Sequence, residues 1–92
     1  MIKVLASNQV LKFKKHASTK LQLEIDRQVT AIIENPEIGE LKKGDLKGIR
    51  VLKFKYNQQL YLLSYEMKGN TLNLYLIGSH ENFYLKLKKY LR

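Results

Sequence analysis

Apolar residues recur every three or four positions through the first third of the chain, and every second position after residue 49. That change of period divides the sequence into a helical part and a sheet part. Ile2 to Ala6 is a short strand-like run. Ser7 or Asn8 can cap a helix behind it, because a short side-chain oxygen accepts from an unpaired N–H of the first turn. Val10, Phe13 and Ala17 then share one helix face, with Lys12, Lys14 and Lys15 outside. Ser18 can cap a second helix, whose inner stripe is Leu21, Ile25, Val29 and Ile32. Asn35-Pro36 ends it, since the residue before proline is pushed out of the helical region. Almost nothing joins the two helices, so a hairpin is expected.

Glu37 to Gly48 reads as a glycine-punctuated loop. Beyond it Arg50, Leu52, Phe54 and Tyr56 point one way, and Ile49, Val51, Lys53 and Lys55 the other. Asn57-Gln58-Gln59 predicts a hairpin turn, Leu60 to Met67 a strand, Lys68-Gly69-Asn70 a second turn, and Thr71 to Ile77 a last strand. A final helix is expected from near His80, with Phe83, Leu87 and Tyr90-Leu91 inside and Lys86, Lys89 and Arg92 outside. The class is α+β: an N-terminal strand and a helical hairpin packed on a mostly antiparallel sheet of about four strands, with a C-terminal helix. The helices are expected on one face, leaving Lys53 and Lys55 on a free one.

A chain of 92 residues has room for one domain, taken as 1–92. Its 17 basic residues against 8 acidic ones give a net charge of +9, which calls for an anionic partner. Only Arg27, Arg50 and Arg92 are arginines. Lysine supplies field without a planar fork, which argues against base-specific reading of a duplex groove. With no cysteine there is neither a disulfide framework nor a thiolate metal site. The two histidines stand near no carboxylate cluster, so no metal is expected. Gly39 to Gly44 has the gap of a phosphate loop, but Asp45 stands where that loop needs lysine. No cofactor is expected either. Met1 to Ser7 is too short for a signal peptide, and no apolar run approaches the ~20 residues of a membrane span. The expected location is the cytoplasm.

Candidate chemistry gathers at two places. Lys53 and Lys55, two residues apart on a strand, lie roughly 6.6 Å apart on one face. That spacing suits neighbouring phosphates of a single strand, where cations stabilise charge developing in a transition state. The plainer reading is a solvated strand face whose lysines discourage edge-to-edge aggregation. His80 follows Gly78-Ser79 at a strand end. It could take the proton of an attacking 2′-hydroxyl or give one to a departing 5′-oxygen. It could equally be a turn histidine bonded to backbone. Tyr84, four residues on, is expected to share a helix face with His80 and to stack on a base, or else to pack against the sheet. His16, alone among lysines, is expected at the surface.

The order of elements together with Asn35-Pro36, Leu46-Lys47-Gly48, Lys53-Phe54-Lys55, Tyr61 to Tyr65 and Gly78-Ser79-His80 to Tyr84 resembles the RelE/ParE superfamily of bacterial type II toxin–antitoxin toxins. The resemblance covers essentially the whole chain and looks nearest the ParE-like branch. It implies a growth-inhibiting toxin held inactive by a cognate antitoxin. It also implies a metal-independent endoribonuclease, an mRNA interferase that cuts mRNA on the ribosome, with Lys53, Lys55, His80 and Tyr84 as catalytic residues. One position departs from the pattern. RelE-type toxins carry an arginine on the next strand, and this chain has Leu62. Such a contact to a transition-state phosphate can be worth ~3 kcal/mol. Arg50 alternates away from Lys53 and is a poor substitute. The alternatives are therefore a ParE-type inhibitor of DNA gyrase without nuclease activity, or a degenerate toxin that only binds its antitoxin. Leu11 and Leu23, on the outside of the hairpin, are candidate antitoxin contacts.

Overall fold

A computed structural model describes residues 2–91. The chain runs β1 (Lys3–Ala6), α1 (Asn8–His16), α2 (Thr19–Glu34), β2 (Glu40–Leu41), a 3-10 turn (Gly44–Leu46), β3 (Arg50–Tyr56), β4 (Gln59–Lys68), β5 (Thr71–Ser79) and α3 (Phe83–Tyr90). The five strands form one sheet in the order β1-β5-β4-β3-β2. The β1–β5 pair is parallel and the others are antiparallel. The α+β expectation holds, with one strand more than expected. The addition is β2, inside the segment read as a loop, where Glu40 pairs with Val51 and Leu41 with Arg50.

The caps fall where short polar side chains stand. Ser7 Oγ accepts from Val10 N–H, and its hydroxyl donates to the Tyr75 carbonyl at 2.7 Å, tying α1 to β5. Ser18 Oγ accepts from Leu21 N–H. Gln22 Nε2 donates to the carbonyls of Lys14 and Ala17, closing the short connection between α1 and α2. At the β3–β4 hairpin, Asn57 and Gln58 both adopt positive φ, 56° and 67°. That is the tight turn whose twist matches paired strands.

One face of the sheet carries Leu52, Phe54, Leu63, Tyr65, Leu72, Leu74 and Ile77 against Val10, Leu21, Ile25 and Ile32 of the helical hairpin. The opposite face is not free. Val51 and Leu62 pack there with Phe83 and Leu87 of α3, and with Leu46 and Ile49 from the preceding loop. The expectation of helices on a single face is thus corrected: α3 has its own core. That helix starts at Phe83, because Asn82 before it takes a left-handed conformation (φ 59°) and breaks the path from His80. Its inner stripe is Phe83 and Leu87, whereas Tyr90 and Leu91 are exposed. Arg92, expected on the outer face, lies outside the described residues. A bulge on β5 sets Tyr75 between the partners of Ser64 and Tyr65, so Tyr75 and Leu76 both join the α3 side.

Among the described residues no helix is long and apolar enough to cross a membrane. Leu11 and Leu23 are 54% and 53% exposed, as the hairpin pattern requires.

Candidate functional site

The alternation along β3 carries its side chains into two settings. Leu52 and Phe54 are buried under the helical hairpin, and Lys53 and Lys55 are exposed on the α3 side. In register, Lys53 opposes Leu62 and Lys55 opposes Leu60. Leu62 in turn opposes Gly78 on β5. A Cβ placed on Gly78 would lie 3.9 Å from the Phe83 ring, so α3 begins directly over this row. Leu62 is 0% exposed beneath it. The position at which the resemblance to RelE-type toxins implies an arginine is therefore filled by a leucine that serves the second core.

His80 sits one residue beyond β5, and its N–H donates to the Leu60 carbonyl at 3.1 Å. The backbones of Lys55 and His80 thus flank Leu60 from either side, about 10 Å apart when neighbouring strands lie 4.7–4.9 Å from each other. Both side chains are exposed at the end of the face that α3 leaves uncovered. Strand pairing therefore assembles Lys53, Lys55 and His80 around one corner of the sheet, although His80 lies far from the lysines in sequence.

Tyr84 is placed differently from the expectation. It does not share a helix face with His80, because His80 precedes the helix and Asn82 turns the chain between them. Tyr84 is half-buried, edge-on to Phe83 with ring centroids 5.6 Å apart. Lys42 Nζ stands 5.0 Å from the centre of its ring, a cation–π contact.

Lys42 and Glu40 are members of the site that the sequence did not point to. Lys42 is ion-paired with Glu40. The hydrogen bond from Lys42, then its charge, holds the Glu40 carboxyl below its ordinary range, with the charge of Lys53 a smaller contribution in the same direction. The same hydrogen bond to Glu40, aided by Tyr84, raises the Lys42 ammonium above its usual range against a partial desolvation. Glu40, Lys42, Lys53 and Tyr84 are thus electrically linked. The available signal was the Glu40-Leu41-Lys42 alternation, which is too short to declare a strand.

Arg50 is committed elsewhere. Its Nη1 donates to the carbonyls of Gly39 (2.9 Å) and Glu37 (3.3 Å), fixing the loop after α2. The Tyr65 hydroxyl completes that anchor by donating to the Pro36 carbonyl (2.7 Å) and accepting from Gly39 N–H (2.9 Å). Arg50 therefore does not replace the missing arginine beside Lys53. Among the described residues no group of three or more His, Cys, Asp or Glu is arranged to hold a metal.

These features define a small basic α+β protein whose sheet presents two lysines and a histidine at one open corner. Residues 4–88 match the model of the ParE-like toxins of type II bacterial toxin–antitoxin systems, and the chain belongs to that family. Among solved structures it is similar to an arginine-to-alanine double mutant of the E. coli toxin RelE in the free state. There the TM-score is 0.74 at 13% identity, covering 95% of this chain and 92% of that one. It is also similar to a chain of the intact E. coli RelBE toxin–antitoxin complex. The TM-score is 0.70 at 16% identity, covering 88% of this chain and 99% of that one. At such identity the likeness concerns the fold. The sequence matches no curated protein.

Proposed function

We propose that this toxin stops growth by ribosome-dependent cleavage of mRNA at the corner formed by Lys53, Lys55 and His80. The observation that carries the reading is the pairing register, which sets Lys55 and His80 on opposite sides of Leu60 with Lys53 beside them. In-line transfer at phosphorus needs a proton acceptor on the side of the attacking 2′-oxygen and a donor on the side of the departing 5′-oxygen. Neutral His80 takes the 2′-hydroxyl proton as the 2′-oxygen forms its bond to phosphorus. The bond from phosphorus to the 5′-oxygen breaks, and a lysine ammonium protonates that oxygen. The products are a 2′,3′-cyclic phosphate and a 5′-hydroxyl, with no metal required. Lys53 and Lys55 stabilise the charge on the non-bridging oxygens. Tyr84, backed by Lys42, offers a partly covered ring against which a base can stack.

The ribosome, itself rich in phosphate, suits a +9 protein, and this docking weakens as salt rises. A cognate antitoxin with an acidic, partly disordered segment would mask the basic surface and fold upon it, and Leu11 and Leu23 offer it apolar contacts. The site of action is then the cytoplasm.

Primer extension on cellular mRNA after induction tests the reading. Wild type should produce new 5′ ends within coding regions, and His80→Ala should reduce them by about 10²–10⁴-fold, the usual worth of a general base. A second reading has its own support: Leu62, buried under Phe83, leaves the corner without an arginine. Inhibition of DNA gyrase needs no proton transfer. If mRNA stays intact while Lys53→Ala and His80→Ala still arrest growth and stabilise gyrase–DNA cleavage complexes, the nuclease reading is wrong and the gyrase reading replaces it. Absence of any growth arrest by the wild type would leave only a binding module for the antitoxin.

A further inference from the structure

The Lys42 side chain is only 20% exposed, although the residue stands just past a two-residue edge strand. Lysine is among the residues most rarely covered, because its ammonium keeps its water. Here two partners cover it. The ammonium is ion-paired with Glu40 and stands 5.0 Å from the centre of the Tyr84 ring. The Lys42 N–H donates to the Ile49 carbonyl at 2.9 Å, which carries the β2–β3 pairing one residue past Leu41. Glu40 opposes Val51 and Leu41 opposes Arg50, so Glu40 and Lys42 project on the α3 side and Leu41 on the other. The segment leading into β2 is itself held, by Arg50 and Tyr65 at Gly39.

Tyr84 lies in the first turn of α3, two residues after the left-handed Asn82. Phe83 beside it is 2% exposed and anchors the helix, whereas Tyr84 meets that ring edge-on and stays half-buried. A half-exposed tyrosine samples several staggered rotamers, and ordering one of them costs side-chain entropy. An ammonium over the ring favours one orientation through the ring quadrupole. Glu40 neutralises that ammonium, which leaves Lys42 little charge to offer a phosphate. Lys53 and Lys55, by contrast, form no ion pair among the described residues. Glu40 and Lys53 are diagonal neighbours across β2 and β3, about 7–8 Å apart, so the ring is fixed beside the cleavage corner.

We propose that Lys42 is a positioning residue of the cleavage reaction: it holds the Tyr84 ring in the orientation that receives a base of the mRNA, and it does not touch the RNA itself. This rests on the nuclease reading. A ring already in place lets the base dock without first ordering the side chain, and the scissile phosphate then settles against Lys53, Lys55 and His80. The plainer role, a staple tying β2 to α3, uses the same contacts for stability alone.

Single-turnover cleavage of mRNA on programmed ribosomes, at saturating toxin, separates the two through a double-mutant cycle. Tyr84→Ala should slow cleavage by about tenfold or more, the range of a lost base–aromatic stack. Lys42→Met keeps the stem and loses the cation, and should slow cleavage by about three- to fivefold, in line with a cation–π contact. Lys42→Arg, whose guanidinium also lies over aromatic faces, should restore most of the rate. In the Tyr84→Ala background Lys42→Met should cause less than about a twofold further change, because the cation then has no ring to hold. A staple would instead give two losses that multiply. Lys42→Gln, polar and uncharged, repeats the comparison should the methionine variant fold poorly. A readout independent of cleavage is the NMR spectrum of the whole chain with labelled tyrosine rings, in which Lys42→Met should move the Tyr84 signals. The proposal is overturned if Lys42→Met cuts at the wild-type rate, if the losses multiply, if Lys42→Arg is as slow as Lys42→Met, or if the Tyr84 signals stay in place. A wild type that leaves mRNA intact defeats the nuclease reading and this proposal together. A wild type that cuts, with Lys42→Met undiminished, defeats this proposal alone.

Discussion

Replacing Leu62 with arginine would supply the residue type that the resemblance to RelE-type toxins implies, yet the packing predicts damage rather than gain. Leu62 is fully buried between Val51, Phe83 and Leu87. A guanidinium there has no partner, and the nearest charge across the strand pair is Lys53, of the same sign. Its stem can hold part of the apolar contact, but the cation must either stay buried or push α3 aside. Burying an unpaired ion costs several kcal/mol even after relaxation, so we take about 3 kcal/mol as the lower bound. Against a total stability of about 5–15 kcal/mol for a domain of this kind, that loss is severe. At about 4–8 °C per kcal/mol for a chain of this size, the melting temperature should fall by roughly 12 °C or more. Leu62→Met, which conserves volume, should cost under about 1.5 kcal/mol. Thermal melts followed by far-UV circular dichroism, with RNA cleavage measured on the folded fraction, decide the matter. A Leu62→Arg protein that melts within a few degrees of wild type and cuts RNA faster would show that position 62 belongs to the active corner and not to the core.

Other expectations follow from single contacts. Tyr65→Phe removes the acceptor of a buried Gly39 N–H and the donor to Pro36, so it should cost about 1–3 kcal/mol and speed amide exchange at Gly39; unchanged stability and exchange would refute the anchoring role. Gln58→Gly relieves a left-handed, non-glycine residue in the β3–β4 turn and should stabilise by about 0.5–1 kcal/mol, read as a higher urea midpoint; a lower midpoint would contradict the turn assignment. Burial, then the hydrogen bond to Glu66 and its charge, pushes the Tyr75 phenol up to about 12. The folded state therefore holds this proton more tightly than the unfolded one. The associated stability is complete below about 10 and is lost as pH rises toward 12. An ultraviolet tyrosinate titration should show late-ionising phenols, one of which disappears in Tyr75→Phe.

The period-three and period-two patterns carried the helical hairpin, the β3–β4–β5 meander and the exposure of Lys53 and Lys55, because each rests on local alternation. The second core was harder to see. Val51 and Ile49 are apolar on the same face as the lysines, and β4 is apolar almost without interruption from Leu60 to Leu63. A strand buried on both sides reads that way, and this was the signal that α3 had to cross the far face. The spacing of His80 and Tyr84 misled for another reason. A separation of four is helical only if the backbone is helical throughout, and Asn82 is left-handed. The link between Lys42 and Tyr84 is tertiary, set by how α3 lies beside β2, and has no local trace.

The parallel pairing of Lys3–Ala6 with Thr71–Leu74 has a consequence for synthesis. During synthesis Lys3–Ala6 cannot be paired until Thr71–Leu74 have followed them out of the ribosome. The second core must wait longer still, for Phe83 and Leu87. A nascent or prematurely terminated chain therefore displays Val51 and Leu62 to solvent and offers chaperones and proteases an unfinished substrate. The sheet and the second core therefore close only after residues 71–87 have emerged, so the folded surface appears late relative to the helical hairpin.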